Sequence, residues 1–424
     1  MNIAFIVDEF PSISQTFVMN QITGLLDRGH DVDIYTHAIG VNHTRHPDVQ
    51  SYRLMDRTYH LKCPKNRTDR ALHGVGLCIT QFKKNGRATL GSLNVMRYGR
   101  TASSLTLLYK AAPFFFREYD IIHCHFGHNG RLGAMLKELR LQKKLVVTFH
   151  GCDIRKGISE GGAIYRELWN QADCLIAISD YNREYLLRFG GDPKKIVCHP
   201  VGIDCKRFQC RRSPARVCSS PVRLLSVARL VTEKGLEFSL RAVHGLKQER
   251  PDISLQYDII GEGSLRSTLQ RLIDELDLGD SVHLLGAKSQ DEVIAALCSS
   301  DILVAPSLAE ALPVSLMEAH AVGLPVLGTD VGSVNQIVQQ EVSGFLVPPG
   351  DAGALCRRLA ELIDDPQKRA EMGRRGRRHV EQNYDIERLN DCLVDIYQHL
   401  LAAQEQGPGS TEQGAKIKDQ RAKS

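Results

Sequence analysis

Short apolar runs alternate along the chain with polar or glycine-rich breaks and with segments whose apolar residues recur at helical spacing. Several of these runs are apolar almost throughout, which is typical of parallel strands that are covered on both faces. In the first half of the chain they predict strands at residues 2–8, 31–36, 120–124, 145–150, 174–179 and 195–200. Helical patterns such as residues 15–28 and 161–171 lie between them. This alternation favours a doubly wound α/β domain.

The same alternation begins again after residue 221. It predicts strands at residues 222–228, 254–260, 282–285, 302–305, 325–327 and 344–347, and helices at residues 232–249, 264–276, 290–298, 314–321 and 352–363. The segment 205–221 holds three cysteines and two prolines without clear periodicity, which is typical of a linker. We therefore expect an α/β protein with two facing Rossmann-like, doubly wound domains, at residues 1–204 and 222–364.

The end of the chain has a different pattern. Residues 365–403 are charged and predict closing helices, whereas residues 404–424 are rich in Gly, Gln, Lys and Ser and predict a disordered tail. Ligands of open α/β sheets bind beyond the carboxyl ends of the strands. With two such sheets, we expect a binding site in the cleft between the domains, formed by residues that directly follow strands.

The composition is that of an ordinary globular protein, with 42% hydrophobic and 24% charged residues among 424. The formal net charge is 54 − 49 = +5, a mild basic excess that gives no reason to expect a nucleic-acid partner. No apolar run reaches the roughly 18 residues that cross a bilayer, and the N-terminus lacks the basic segment of a secretory signal. We therefore expect a cytoplasmic protein.

Twelve cysteines are spread from Cys63 to Cys392. None forms a C-x-x-C pair, and no His or Cys set with zinc spacing surrounds the cluster of Cys205, Cys210 and Cys218. We therefore expect reduced thiols, some of them in the core, and neither a disulfide framework nor a metal site.

Residues with informative chemistry follow the strands of the second predicted domain. Arg229 ends its first strand, and Lys234 opens the next helix. Two cations near a helix N-terminus can bind a diphosphate, although exposed cations at a helix cap are the simpler interpretation. Gly261 and Gly263 follow the next strand. They allow a close approach of the backbone to a ligand, or they form only a tight strand–helix turn.

Two glutamates, Glu310 and Glu318, have seven residues between them. The first lies in the loop after the strand at 302–305, and the second lies about one turn into the next helix. A loop carboxylate can accept hydrogen bonds from sugar hydroxyls, and a helical one from a ribose; alternatively, Glu318 is only an acid that the helix dipole favours. The helix start leaves backbone N–H groups that could meet phosphate or sugar oxygens, in the segment of Ala311, Leu312, Pro313 and Val314.

Together and in this order, these features resemble a known family. The residues SVARLVTEKG, IGEG, PSLAEALPVSLMEAHAVGLPV and SGFLVPPGD are similar to the C-terminal domain of glycosyltransferase family 4, retaining enzymes with the GT-B fold, over residues 222–363. The resemblance implies that Arg229 and Lys234 bind the diphosphate of a nucleotide-sugar donor. It implies that Glu310 contacts the transferred sugar and Glu318 the ribose, and that the reaction needs no metal cofactor.

The loop after the first strand carries a second resemblance. Its residues FPSISQTF resemble the FPxxSETF pattern of bacterial exopolysaccharide and colanic-acid-type transferases, with Gln15 in place of the usual Glu. Helix N–H groups at this junction could meet a phosphate, which makes Ser14, Gln15 and Thr16 candidates on the acceptor side. Ser14 serves equally well as a helix N-cap and nothing more.

Histidines end two further strands of the first domain. His125, in HCHFG, is a candidate on the acceptor side, although a structural role is as common for such a histidine. His150 and Asp153, in TFHGCD, match the HG-x-D motif of the family. The resemblance puts His150 beside the donor sugar, where a neutral imidazole can hydrogen-bond a hydroxyl, and lets Asp153 orient the acceptor or the loop. His150 thus joins Arg229, Lys234 and Glu310 as a catalytic candidate, with electrostatic stabilisation of the leaving group as the chemistry.

Residues 60–110 are strongly basic: they hold ten Lys and Arg residues but a single acid, Asp69, with apolar residues between them. A basic amphipathic insertion in the acceptor domain suits an anionic membrane surface or a sugar carried on a lipid diphosphate. A solvated helical hairpin with an ordinary buried face is the alternative. Peripheral association with the inner face of the cell membrane is therefore one hypothesis for the location.

The expected function is transfer of a sugar from a nucleotide-diphosphate-sugar to a glycan or polyprenyl-linked glycan, in surface or exopolysaccharide synthesis. Two alternatives stay open. A GT-B-fold sugar-nucleotide epimerase would need a different set of acids and histidines around the sugar. A non-catalytic GT-B scaffold is compatible with departures from the family pattern at Gln15, Val201 and Asn335.

Overall fold

The computed structural model describes residues 1–12, 16–40, 47–210 and 221–405. The described chain divides into two compact units. The first unit contains residues 1–177, 186–197 and the chain from residue 390, and the second contains residues 178–185 and 198–389. The division is therefore not a single cut along the sequence, because the last part of the chain returns to the first unit.

The first unit is built on seven strands: β1 (Asn2–Phe10), β2 (Asp31–Ile39), β3 (Thr58–His60), β4 (Tyr119–His125), β5 (Gln142–Phe149), β6 (Cys174–Ala177) and β7 (Ile196–Cys198). They form one sheet in the order β3-β2-β1-β4-β5-β6-β7, in which the neighbours from β3 to β6 pair in parallel. The middle of β1 is buried at five consecutive positions, as expected for a strand that is covered on both faces.

The second unit is built on six strands: β8 (Val222–Val227), β9 (Leu255–Ile260), β10 (Val282–Gly286), β11 (Ile302–Ala305), β12 (Val326–Thr329) and β13 (Gly344–Val347). They form a parallel sheet in the order β10-β9-β8-β11-β12-β13. Its core combines aliphatic residues of the strands with the apolar faces of the flanking helices, and Tyr257 and Phe345 are fully buried in it.

Eighteen helices are described: α1 (Thr16–Asp27), α2 (Pro47–Ser51), α3 (Arg67–Ser92), α4 (Val95–Tyr98), α5 (Arg100–Ser103), α6 (Thr106–Ala111), α7 (Gly127–Glu138), α8 (Gly151–Glu160), α9 (Arg166–Gln171), α10 (Asp180–Arg188), α11 (Leu236–Glu249), α12 (Arg266–Glu275), α13 (Gln290–Ser299), α14 (Val314–Ala321), α15 (Val334–Ile337), α16 (Ala352–Asp364), α17 (Pro366–Asn383) and α18 (Ile386–Glu405). None of these described helices is both long enough and apolar enough to span a bilayer.

The last helix, α18, completes the core of the first unit. Its residues Leu393 and Tyr397 are fully buried in the same cluster as the central residues of β1 and β2. The Tyr397 hydroxyl lies 2.6 Å from Nδ1 of His123 in β4. A Cβ atom at Gly24 of α1 would lie 1.8 Å from the side-chain amide nitrogen of Asn390. The two helices therefore pack closely here, and a larger residue at position 24 would require the Asn390 side chain to move.

The two-sheet α/β class is confirmed, and every predicted strand is present within a few residues of its predicted bounds. The prediction missed β3, because a three-residue strand with partly exposed side chains has no recognisable period. The closing segment 365–403 divides between the units, with α17 and the start of α18 in the second and α18 from Asn390 onward in the first. Residues 211–220 of the expected linker and 406–424 of the expected tail lie outside the described residues.

The expectation that all cysteines are reduced thiols is wrong at one pair. Cys210 and Cys298 form a disulfide, with their Cα atoms 5.7 Å apart and 88 positions apart in sequence. An ion pair of 2.9 Å between Arg207 and Asp291 lies close by in the sequence and links the same two segments, residues 201–210 and α13. Spacing rules could not find this pair, because it depends on a loop packing against a distant helix.

We predict that Cys298→Ser lowers the stability of the protein. In the chain-entropy view, a cross-link that closes a loop of this length contributes on the order of 4 kcal/mol, so the unfolding temperature should fall by several degrees. Thermal unfolding with and without a thiol reductant measures this effect. The exposed Cys392→Ser is the matched control. If the reductant did not change the unfolding temperature of the unsubstituted protein, this result would contradict the prediction.

Candidate functional site

The strand order of the second unit places its predicted site residues at one point. The chain winds outward from β8 to β10 on one side of the sheet and from β11 to β13 on the other, so the winding direction reverses between β8 and β11. Loops diverge at such a reversal, and this is where open α/β sheets bind ligands. The loop after β8 carries Arg229 and Lys234, and the loop after β11 carries Glu310.

An ion pair joins these two loops. The Lys234 ammonium donates a hydrogen bond to Oε1 of Glu310, and both side chains are largely buried, with 19% and 12% exposure. The Ser307 hydroxyl donates to the same Oε1 at 2.8 Å. The backbone also connects the loops, since the amide of Leu308 donates to the carbonyl oxygen of Glu233 at 2.8 Å. The structure therefore brings together two of the candidate donor-site residues, Lys234 and Glu310, in an ion pair that the sequence did not predict.

Two glycines let these loops approach so closely. Gly235 has a φ of +57°, and a Cβ atom there would lie 2.2 Å from the carbonyl oxygen of Pro306. Gly332, after β12, also has a φ of +57°, and its Cβ would lie 1.7 Å from the carbonyl oxygen of Glu310. Any larger side chain at either position would move the Glu310 loop. Sequence reasoning missed both this role of Gly332 and the contribution of Ser307.

Arg229 is exposed at the end of the β8 segment. Among the described residues, its guanidinium group has no ion-pair or hydrogen-bond partner. Lys234, in contrast, is already neutralised by Glu310. Helix α11 begins one residue after the turn that holds Lys234, and no side chain caps it, so its first N–H groups stay available to an anion.

Gly261 and Gly263 form a tight turn against the neighbouring strand end. A Cβ atom on Gly261 would lie 1.8 Å from the carbonyl oxygen of Ala228, and one on Gly263 would lie 2.3 Å from that of Leu230. The amide of Leu230 in turn donates to the carbonyl oxygen of Glu262 at 2.9 Å. These glycines therefore fix the backbone on either side of Arg229, and their contact with a ligand stays a prediction.

Helix α14 provides the remaining predicted donor residues. Leu312 and Pro313 are buried, and Ala311 and Val314 are partly buried at the helix start. The amides of Ala311, Leu312 and Val314 donate to no other group in the described part of the chain. Glu318 lies one turn further along; burial raises the pKa of its carboxyl to about 7, and no described residue hydrogen-bonds its side chain. Such a carboxyl is well suited to accept hydroxyl donors of a ligand.

The segment around Asn335, which departs from the family pattern, contributes to the framework of the second unit. Ser333 is buried at the start of α15, whereas Asn335 is exposed. The side-chain amide of Gln336 donates to a carboxylate oxygen of Asp180. Its backbone oxygen accepts a hydrogen bond from the Tyr384 hydroxyl at 2.9 Å. These residues thus hold the turn in place through contacts that the sequence did not predict.

In the first unit the winding direction reverses between β1 and β4, and the predicted histidines lie beside this reversal. His125 ends β4, and His150 directly follows β5. Nδ1 of His125 lies 3.1 Å from Nε2 of His150, and both imidazoles are buried. Burial lowers the pKa of His150 to about 3 and lowers that of His125 well below its ordinary value, with a further contribution from the neighbouring imidazoles for His125. Both rings are therefore neutral at physiological pH.

The tautomers of this pair follow from the cost of an unpaired donor. Nε2 of His125 is buried and has no partner among the described residues. An orphaned N–H costs more than an orphaned lone pair, so the proton of His125 belongs on Nδ1, where it is donated to His150. A neutral His150 that accepts at Nε2 carries its own proton on Nδ1. The capping box of His150 with Asp153 favours the opposite tautomer, because the Asp153 amide there donates to the His150 side chain, so this proton position is a prediction.

Asp153 holds the turn that carries His150. Its carboxylate accepts hydrogen bonds from the amide of His150 at 2.8 Å and from the amide of Gly127 at 3.0 Å. The carboxylate is buried, and burial raises its pKa to about 6. Asp153 therefore joins the loops after β4 and β5, which agrees with the expectation that it orients a loop. Its part in acceptor binding stays a prediction.

Aromatic rings enclose the imidazole of His150. The ring centroid of Phe17 lies 4.9 Å from that of His150, and the centroid of Phe126 lies 4.6 Å from it. Phe17 is the last residue of the FPSISQTF segment, so this motif contributes a wall of the first-unit site. Thr16 begins α1, whereas Ser14 and Gln15 lie outside the described residues.

A further polar cluster at this point was not predicted. Oδ1 of Asp8, in β1, lies 2.5 Å from Nε2 of His128 and accepts a hydrogen bond from the Asn129 side chain at 2.9 Å. Although burial alone raises the pKa of Asp8, its contacts with His128 and Asn129 lower it. The bond to Asp8 raises the pKa of His128. The sequence signal for this cluster was the position of Asp8 at the end of the first predicted strand. Its partners, His128 and Asn129, can be recognised only once β1 and β4 are known to be neighbours.

Metal ligands do not gather at either place. In the ranges 1–12, 16–40, 47–210 and 221–405, no three His, Cys, Asp or Glu side chains are grouped so that they could hold a metal ion. Independence from a metal stays a prediction.

Two parallel-sheet α/β units, each with candidate residues at its strand ends, agree with the GT-B class of glycosyltransferases, and comparison with known proteins shows the family. The family model "Glycosyltransferase Family 4" matches residues 14–207, and the model "Glycosyl transferases group 1" matches residues 216–379. WcaL of Escherichia coli strain K12, named for glycosyl transfer in colanic acid biosynthesis, is 32% identical over 94% of this chain and 100% of its own length. AmsK of Erwinia amylovora, an amylovoran biosynthesis glycosyltransferase, is 36% identical over 85% of this chain and 90% of its own. The chain belongs to glycosyltransferase family 4 and is a glycosyltransferase.

Solved structures share the fold. A sucrose-phosphate synthase from Thermosynechococcus elongatus matches with a TM-score of 0.73 and 21% identity over 95% of this chain and 100% of its own. HepE of Anabaena, solved with UDP-glucose, matches with a TM-score of 0.72 and 16% identity over 94% of this chain and 100% of its own. None of the four proteins compared above is named an epimerase, so they give that alternative no support.

We predict that Glu318→Gln stabilises the ligand-free protein at high pH. A buried carboxyl with a raised pKa is more easily ionised in the unfolded chain, so stability falls as the pH rises from below 4.5 through about 7. The neutral Gln avoids this loss, and its advantage should grow from near zero at pH 4 to about 3 kcal/mol at pH 8. Thermal unfolding across this range measures the difference. The exposed Glu275→Gln is the control, and a pH-independent effect of Glu318→Gln would contradict the prediction.

We predict that His125 controls which nitrogen of His150 carries the proton. His125→Phe removes the donor and should lower turnover about tenfold, whereas the side-chain amide of His125→Asn can replace Nδ1–H and should restore part of it. Nitrogen NMR of the His150 imidazole should show protonated Nδ1 in the unsubstituted protein and a mixture in His125→Phe. An unchanged tautomer in His125→Phe would count against this control.

Proposed function

We propose that this glycosyltransferase moves a sugar from a nucleotide-diphosphate donor to a glycan acceptor carried on a lipid, with retention of the anomeric configuration, in exopolysaccharide synthesis. The single observation that carries the donor side is the junction of Lys234, Glu310 and the unpaired Arg229 at the reversal point of the second sheet. The names of WcaL and AmsK support the class of product. The complexes of HepE with UDP and UDP-glucose support the class of donor.

The charges of the second unit suit a leaving diphosphate. In the ligand-free protein Glu310 neutralises Lys234. A bound diphosphate would attract Lys234 and add to the charge that faces Arg229, while the uncapped start of α11 contributes its N–H groups. These groups stabilise negative charge as it develops on the leaving group, which is how fixed dipoles and cations lower a barrier. Glu310, relieved of part of its ion pair, can then accept hydroxyl hydrogen bonds from the sugar.

The chemistry of the first unit is that of a neutral hydrogen-bond donor. Because His150 is neutral, it neither repels a cation nor neutralises a phosphate. Its Nδ1–H can donate to a sugar hydroxyl, in a wall made by Phe17 and Phe126 that excludes water. We assign no covalent catalyst in either unit.

The surface of residues 60–110 supports a lipid-linked acceptor. Seven of the thirteen large hydrophobic side chains that are exposed in the described chain lie in this segment, which is far more than its length would give. Ten cations and one acid accompany them. Apolar and basic residues exposed together are typical of a protein that binds the anionic inner face of a cell membrane without crossing it.

We predict that Arg229→Gln weakens binding of a nucleoside diphosphate about tenfold or more, because it removes a charge-assisted contact to phosphate. Calorimetry with UDP and with GDP measures the affinity and shows which base is preferred. Arg229 is exposed and makes no recorded side-chain contact within the described chain, so folding should be unchanged. Arg241→Gln, an exposed charge on α11, is the control with the same loss of charge.

Three experimental results would test the proposed function against its alternatives. Equal affinity of the Arg229 and Arg241 variants would exclude Arg229 from the donor site. Failure of both nucleotides to bind would favour the non-catalytic scaffold. Incubation of UDP-glucose and GDP-mannose without acceptor separates transfer from epimerisation, because only an epimerase would isomerise a donor that has no acceptor.

A further inference from the structure

A basic pocket lies in the insertion of the first unit, at the start of α3. It has a volume of about 650 Å³ and is lined by three arginines and two serines, Arg67, Arg70, Arg100, Ser103 and Ser104. No Asp or Glu is among its lining residues. None of these residues belongs to the strand-end sites described above, so the pocket has no part in the assignment of donor or acceptor residues.

The arginines of this pocket keep donors available. Arg70 donates from Nε to the carbonyl oxygen of Pro64 at 2.7 Å and from Nη1 to that of Ser104 at 3.3 Å, which leaves Nη2 without a recorded acceptor in the described chain. Arg67 and Arg100 are exposed, and neither forms an ion pair with a described residue. Three guanidinium groups without a carboxylate repel one another, and an anion with more than one negative charge relieves this repulsion.

The opposite wall of the pocket is fixed in an unfavourable conformation. Leu105 has a φ of +58°, which is uncommon for a bulky side chain. Its position is imposed by contacts with α3: a Cβ atom at Gly74 would lie 2.5 Å from Cδ1 of Leu105, and the Tyr109 hydroxyl donates to the carbonyl oxygen of Arg70 at 2.9 Å. Strain that the surroundings impose in this way is common where a ligand is held.

An exposed apolar stripe begins beside the pocket. Leu72, Val75, Ile79 and Phe82 are 75%, 62%, 59% and 54% exposed. Their spacing of three, four and three residues places them on one face of α3, about 100° around the helix axis from the face that lines the pocket. Lys83, on the same helix, is exposed at the end of this stripe.

We propose that this pocket binds the phosphate of a membrane lipid whose head group is a phosphomonoester or a diphosphate. The apolar stripe lies in the acyl boundary of the bilayer, and the arginines meet the phosphate at the surface. The apolar stripe favours a lipid head group over free phosphate as the ligand, because free phosphate would leave these apolar side chains without a partner. The inference rests on the proposed membrane contact of residues 60–110 and adds a specific head group to it.

The test compares two vesicle populations. Both contain phosphatidylcholine, with either phosphatidic acid or phosphatidylglycerol added to the same zeta potential, and binding of the full chain is measured by co-sedimentation. We expect tighter binding to the phosphatidic acid vesicles. Arg67→Gln combined with Arg100→Gln should abolish this preference, with a loss of about tenfold or more on phosphatidic acid, since each basic residue at a membrane surface contributes appreciably.

The control removes the same number of charges, both of them from α3. Lys83→Gln combined with Arg87→Gln should weaken binding to both vesicle types alike and keep the preference for phosphatidic acid. Inorganic pyrophosphate, compared with sulfate at equal ionic strength, should displace the unsubstituted protein from phosphatidic acid vesicles more than from phosphatidylglycerol vesicles. This competition would support the phosphate chemistry of the pocket.

Two outcomes would overturn the proposal and remain distinguishable from failure of the proposed function. If the unsubstituted protein bound both anionic vesicle types equally, the proposed head-group site would be wrong. The proposed membrane contact would still hold. Pyrophosphate binding that Arg67→Gln with Arg100→Gln abolishes, without any vesicle binding, would show a free phosphate ligand and overturn the lipid assignment. Nucleotide binding at the second unit depends on neither result.

Discussion

The second unit depends on the close contact of two loops that carry opposite charges. Lys234 and Glu310 meet only because Gly235 and Gly332 allow backbone oxygens to approach where any other residue would place a Cβ atom. In a partly buried position the two charges stabilise each other, and loss of one would leave the other without compensation. The pair therefore links the loops that follow β8 and β11. It also supplies an ammonium group that a diphosphate can recruit, so the same contact serves the fold and the reaction.

The first unit instead presents one neutral hydrogen-bond donor, the His150 imidazole, in a defined orientation. His150 is held by the backbone contact with Asp153, by the imidazole of His125 and by two aromatic rings. Burial lowers the pKa of both imidazoles and keeps them uncharged at physiological pH. The electrostatics of the two units thus differ: the second has a largely buried ion pair and an exposed arginine, and the first has buried neutral groups.

Much of this arrangement follows from sequence, because parallel strands leave long apolar runs and because site residues directly follow them. Lys234 and Glu310 were therefore found as separate site candidates, although their ion pair was not predicted. What the sequence did not reveal depends on which distant segments become adjacent. The disulfide of Cys210 with Cys298 and the cluster around Asp8 each require a tertiary contact that no spacing encodes. The three-residue β3 is too short to show a period.

The return of α18 to the first unit has a consequence for how this protein is made. Tyr397 and Leu393 fill the core beside β1 and β4, yet they are among the last described residues of the chain. During synthesis on the ribosome, the first unit emerges early but lacks these two side chains until almost the whole second unit has followed. Its hydrophobic centre is therefore finished late, and a fragment that stops near residue 200 would leave that centre open to water.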